Sequence, residues 1–175
     1  MSTTMKWGLI TGAVYVIFAL INNILGVQEG GGFSMLGLLT NTIILGATFF
    51  TIYSGVKEIR DTELDGFLTF GQGFKSGMGI ALIACIVSAV FTYIYVSFID
   101  PELINRVTAM TEAQWEEQNM PEEQMDVARQ WMGYMMNPTF MSLIAAVSVI
   151  FWGLIKSLIA SALLKVDAPP VISED

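Results

Sequence analysis

Four long apolar runs, at 7–27, 34–56, 75–99 and 139–164, fill most of this 175-residue chain. A helix crossing the ~30 Å hydrocarbon core of a bilayer needs about 20 mainly apolar residues, and each run meets that length. Backbone groups left unpaired in hydrocarbon are costly, so only helices and closed barrels span membranes. Barrel strands show alternating segments of ~10 residues, whereas these runs are continuous and longer. The expected fold is therefore all-α: an integral membrane four-helix bundle, forming a single polytopic domain over 1–175. Composition agrees, with 54% hydrophobic and 14% charged residues, against about a quarter charged in soluble domains.

The first run follows a basic residue, Lys6, as a signal peptide would. It is too long for a signal h-region, and no A-x-A-like cleavage site follows Leu25-Gly26-Val27. It is expected to be an uncleaved first span.

Basic residues give the orientation. Lys6 precedes span one, Lys57, Arg60 and Lys75 lie between spans two and three, and Lys156 and Lys165 lie at the end of span four. Only Arg106 and Arg129 lie elsewhere, in the 100–137 segment. The positive-inside rule then places both termini and the 57–75 loop in the cytoplasm. The glycine loop at 28–32 and the 100–137 segment face outward. Eight of the sixteen acids fall in 100–137, so the net charge of −8 is mainly an external feature. Such a balance excludes nucleic acid as a partner, because phosphate binding needs basic surface.

Local signals refine the spans. Asp65-Gly66 marks a turn, and Thr69 with Gln72 three residues on forms a capping-box pattern. The third helix should thus begin near Phe70, giving a span of 70–99, with Phe67, Phe70 and Phe74 in the headgroup region and Lys75 snorkelling. In the outer segment, Asp100-Pro101 and Thr111 with Gln114 suggest two helix starts, and Pro121 with Glu122 and Glu123 opens a third. Met125, Ala128, Met132 and Met135 recur there at helical spacing, with Trp131 beside Met132. An amphipathic, interfacial cap is expected over the outer ends of the spans.

Membrane helices associate through close packing and polar contacts, so small residues at four-residue spacing mark contact faces. Span three carries the longest such ladder: Gly73, Gly77, Ala81, Cys85 and Ala89. Span four offers Gly153, Ser157 and Ser161, span two Ala47, Thr51 and Gly55, and span one Gly8 and Gly12. The ladder is expected either to pack within the bundle or to form a homo-oligomer or membrane-protein interface. The lone cysteine excludes an internal disulfide and should pack as a small apolar residue.

Polar residues inside the spans are few. Asn22 and Asn23 lie in span one and Asn41 in span two, where asparagines hydrogen-bond between helices. Lys156 lies about 28 Å along the helix from Asn137 at 1.5 Å per residue, near the edge of a ~30 Å core. Snorkelling is the simplest expectation. The alternative is a lysine facing the bundle, where with the asparagines it contacts an anionic lipid headgroup or a substrate phosphate.

Recognisable chemistry is sparse. The absence of histidine removes histidine triads and histidine metal sites, and one cysteine cannot make a thiolate metal centre. Gly30-Gly31-Gly32 has no lysine and no strand–helix unit after it, so it is no phosphate loop. The Glu116/Glu117 and Glu122/Glu123 pairs lack the ligand spacing of a calcium loop and read as a solvated acidic face. The chain is therefore expected to be no enzyme, with no cofactor and no metal; a carboxylate enzyme near Glu116 to Asp126 is the remaining enzymatic alternative.

Several pieces together carry a family resemblance. They are Lys57-Glu58-x-Arg60-Asp61 after span two, and Gly66-Phe67-x-Thr69-Phe70-Gly71-Gln72-x-Phe74-Lys75-x-Gly77 leading into span three. Tyr93-x-Tyr95-x-x-Phe98-Ile99-Asp100-Pro101-Glu102 follows at its exit, then Asn137-Pro138 and Gly153-Leu154-Ile155-x-Ser157-Leu158-Ile159. In this order the chain resembles the bacterial membrane family filed as domain of unknown function 4199, over nearly its whole length. The resemblance implies a four-span inner-membrane protein of unassigned activity and carries no catalytic residue across. The leading functional expectation is a non-enzymatic subunit or scaffold among membrane lipids and protein partners. The alternative is a small oligomeric transporter or lipid-handling protein using Lys156.

Overall fold

A computed structural model describes residues 1–26 and 35–167. The glycine loop at 28–32 lies outside the described residues. Each apolar run is helical. α1 spans Thr3–Ile24, α2 Met35–Glu63, α3 Phe70–Ile94 and α6 Pro138–Leu164, and between α3 and α6 lie α4, Leu103–Glu117, and α5, Glu122–Met135. α1, α2, α6 and α3 with its π-helical continuation are long and apolar enough to cross a membrane.

The helix ends follow local chemistry. Ser2 caps α1 by accepting from the Met5 amide, which starts the helix four residues before the apolar run. α2 continues two turns beyond its apolar run and stops where Asp65 and Gly66 both turn left-handed, at φ 52° and 84°. Thr69 and Gln72 make the expected capping box at the start of α3. Asn137 caps α6 by accepting from the Phe140 amide at 2.9 Å, with Pro138 in its first turn.

The four spans pack around α3, which lies most closely against α6 and α1; α2 touches α1, α3 and α6. α3 and α6 are antiparallel and meet small residue on small residue. A Cβ on Gly73 would come within 3.0 Å of Ser161 Oγ, and one on Gly77 within 2.6 Å of Ser157 Oγ. One on Gly153 would come within 2.5 Å of the Ala81 Cβ. Cys85 Sγ then approaches the Ala146 carbonyl at 3.6 Å. Ala89, the last rung, is half-buried. The ladder is thus used inside the bundle, against α6.

The opposite side of α3 is bulky and fills glycine notches. Ile83 and Val87 enter at Gly8 and Gly12 of α1, which runs parallel to α3, and Ile80 enters at Gly55 of α2 beside Trp7. Close backbone approach of this kind supplies the dispersion that holds helices together where lipid gives no hydrophobic drive.

Both described ends of the chain lie at one end of the bundle, here the terminal end, with the link from α2 to α3. Lys6 donates to both Glu58 oxygens at 2.7 and 2.8 Å, and the Trp7 indole donates to Glu58 Oε2 at 2.8 Å. Leu68 and Val166 exchange two backbone hydrogen bonds, 2.9 and 3.0 Å, in an isolated antiparallel bridge. Leu68 is buried there with Ile52, Val56, Ile80, Ala160 and Leu164.

α4 and α5 form a hairpin over the other end. The expected helix start at Thr111 does not occur: α4 runs unbroken through it, and the Thr111 hydroxyl donates back to the Val107 carbonyl at 2.7 Å. This back-bond satisfies the hydroxyl inside a helix, so it no longer competes for an amide. α4 ends in a Schellman turn, with Asn119 at φ 53° and amide bonds Asn119→Glu116 and Met120→Trp115. Arg129 of α5 then bonds Glu112 of α4 and Asp126, both at 3.0 Å. Those two carboxylates, Glu112 first, hold the guanidinium above its ordinary pKa. Met125 and Met132 face inward, whereas Trp131 and Tyr134 are 62% and 68% exposed.

Candidate functional site

Lys156 lies about two thirds of the way along α6, with about 27 Å of helix before it and about 12 Å after it at 1.5 Å per residue. Gly153, Ser157 and Ser161 of the same helix face α3. Lys156 precedes Ser157 by one residue, so it projects about 100° away from that contact, toward α1 and α2. It is only 4% exposed. The expected snorkelling does not occur. Nζ donates instead to Thr48 Oγ1 of α2 at 2.5 Å and to Tyr15 Oη of α1 at 3.2 Å. It also lies 5.6 Å from the centre of the Tyr15 ring, within range of a cation–π attraction.

These hydroxyls are themselves held. Thr48 Oγ1 donates to the Ile44 carbonyl at 2.6 Å, which leaves its lone pairs to the lysine. One turn nearer the terminal end, Thr11 donates to Thr51 at 2.9 Å across the α1–α2 contact, and Thr51 donates to the Thr48 carbonyl at 2.9 Å. Thr51 therefore bonds as well as packs.

Lys156 lines a cavity of about 270 Å³ between three helices. α1 contributes Tyr15; α2 contributes Asn41, Ile44, Leu45 and Thr48; α6 contributes Ser148, Trp152 and Lys156. Asn41 and Ser148 lie on the hairpin side of the lysine, so the polar lining runs from mid-bundle toward the hairpin end. Among the described residues, no carboxylate forms an ion pair with Lys156. An ammonium has three N–H donors, and two are used. Removing a charge from water is costly unless it is paired, so the arrangement favours an anion entering the cavity.

The asparagines divide. Asn41 joins Lys156, whereas Asn22 and Asn23 do not. Asn23 donates to the Tyr95 hydroxyl, beside a separate cavity of about 80 Å³. Tyr95 opens a π-helical turn, Tyr95–Ile99, a wider winding that re-aims side chains. Asn22 Oδ1 is buried without a hydrogen-bond partner among the described residues.

Sequence reasoning missed Tyr15, Thr48, Ser148 and Trp152. Each is an ordinary residue within an apolar run; Ser148 and Trp152 share a face of α6 with Lys156 at four-residue spacing, and the crossing of α1, α2 and α6 brings Tyr15 and Thr48 to them. The available signal was a hydroxyl in the middle of each of spans one and two, at the depth of the lysine.

Comparison with known proteins gives a family and no activity. No curated protein and no solved structure matches the chain. A family model covers residues 6–166, nearly the whole chain, and the chain accordingly belongs to the family described as protein of unknown function (DUF4199).

Proposed function

We propose that this is a non-enzymatic multi-pass protein of the bacterial inner membrane that binds an anionic group at Lys156, as a small carrier or lipid-handling protein. The observation that supports it most is the buried amine itself. It is held by two hydroxyls, unmatched by a carboxylate among the described residues, and set in the wall of a cavity. The subunit or scaffold reading has less support, because the span-three ladder that suggested an interface is covered by α6.

Orientation belongs to the same proposal. Lys6, Lys57, Arg60, Lys75 and Lys165 gather at the terminal end, against Arg106 and Arg129 at the hairpin end. Both termini then face the cytoplasm and the hairpin faces outward.

The test is binding of anionic lipids and small organic anions to the purified full-length protein and to Lys156→Met. Methionine keeps an unbranched side chain, one atom shorter, and removes its charge. Loss of anion binding in the variant is the expected result, and equal binding by both proteins would overturn the reading. Reporter fusions at each terminus and in the α4–α5 turn test the orientation.

A further inference from the structure

The cavity does not end at Asn41 and Ser148. Ser148 is shared with an apolar groove of about 430 Å³ along α6, formed with Phe140, Leu143, Ile144, Val147 and Phe151. Leu143, Ile144, Val147 and Phe151 are all exposed on this face. One helix therefore carries a cation deep in the bundle, a mostly apolar passage marked by Asn41 and Ser148 on its hairpin side, and an apolar trough leading from that passage over the surface.

Depth decides what reaches such a site. α6 has 27 residues, about 40 Å of helix, against a ~30 Å hydrocarbon core. If α6 is centred in the bilayer, Ser148 lies about 5 Å from the midplane on the hairpin side and Lys156 about 7 Å beyond it. The junction of cavity and groove thus opens at hydrocarbon depth. A free hydrophilic anion would have to cross lipid to arrive there, which the loss of its hydration makes unfavourable. An amphiphile arrives by lateral diffusion, with its chain already in the hydrocarbon.

We propose that the occupant is an anionic lipid entering sideways from the hairpin-side leaflet. Its headgroup passes Asn41 and Ser148 to the Lys156 ammonium, and one hydrocarbon chain lies in the groove along α6. This inference rests on the anion-binding reading above and adds the chain-binding groove, the route and the lipid class. Charge complementarity selects the headgroup, and the residue common to cavity and groove joins it to its tail.

The experiment uses full-length protein in nanodiscs or mild detergent with two probes: dioleoyl phosphatidic acid and glycerol 3-phosphate. The variants are Lys156→Met, Val147→Trp to fill the groove, and Leu82→Trp on an exposed face of α3 as a control. Wild type should bind the lipid at least about tenfold more tightly than glycerol 3-phosphate. Lys156→Met should weaken the lipid by about tenfold or more. Val147→Trp should weaken the lipid by about fivefold and leave glycerol 3-phosphate within about twofold, while Leu82→Trp changes neither. Unaltered lipid binding in Val147→Trp, or equal binding of the two probes by wild type, would overturn the groove and the lateral route while leaving an anion site at Lys156. Lipid binding indifferent to Lys156→Met, or no binding of either probe, would overturn both.

Discussion

The two ends of the bundle are built differently. In α1 the buried residues are Gly8, Thr11 and Gly12, all in the half nearer the terminal end, and in α6 burial begins only at Val149. α2 is buried mainly from Thr48 onward. That half is packed through glycine, alanine and serine, with an ion pair and a backbone bridge at its edge. The hairpin half has the cavity, the π-helical turn and a buried amide oxygen without a partner among the described residues. Close packing and the proposed binding site are thus separated along the bundle axis, and Lys156 stands at the boundary. The close-packed half fixes the helices, and its fixed crossing holds Tyr15 and Thr48 where they meet the lysine.

The most damaging test of this division is Gly77→Leu. An added Cβ there meets Ser157 Oγ at 2.6 Å and the Ser157 Cα at 3.2 Å, so backbone as well as side chain must move. Overpacking costs about 1–3 kcal/mol and sometimes more; a loss of about 3 kcal/mol is expected, measured by unfolding in mixed micelles. A variant as stable as the wild type would show that the two halves do not differ in tightness. Lys156→Met probes the boundary and should act in the opposite sense. Replacing a buried charge with no carboxylate partner among the described residues by an apolar residue of similar size should raise ligand-free stability by about 1 kcal/mol, while anion binding falls. If stability falls instead, the lysine is part of the packing and not a reserved binding group.

Thr69→Ala removes the capping box of α3 and should cost about 1 kcal/mol, read as a lowered melting temperature with ligand binding intact. The smallest effect is expected at Gly133, which lies in α5 with nothing within 4 Å of an added Cβ. Gly133→Ala should stabilise by about 0.5 kcal/mol through helix propensity. A loss there would mean that the hairpin is packed as closely as the terminal end.

Much of the architecture was readable in advance, because lipid imposes strong rules on short stretches of sequence. The spans follow from run length, the start of α3 from Thr69 and Gln72, and the start of α5 from Pro121 and its acids. The rungs of the α3 ladder were also readable, but not what they touch, because small-residue spacing marks a face without naming its partner. The site was half legible. Depth along α6 could be counted to Lys156, and depth alone suggested a side chain reaching for water. The direction of that side chain depends on Ser157 being committed to Gly77 and on Thr48 and Tyr15 arriving from two other helices. Those are tertiary facts, set by contacts between residues far apart in the chain.

The short bridge between Leu68 and Val166 has a mechanical consequence. It ties the connection between α2 and α3 to the segment that follows α6, and so clasps three helices at one end. A bundle clasped in this way behaves as a pair of tongs: the bridge is the pivot, and separation of α2 from α6 grows with distance from it. The cavity lies away from the clasp, where a small rotation about it changes the gap more than at the terminal end. Spin labels at Asn41 and Ser148 should therefore report a broader range of distances than labels at Lys57 and Lys165, and a distribution equally narrow at both ends would describe a rigid rod.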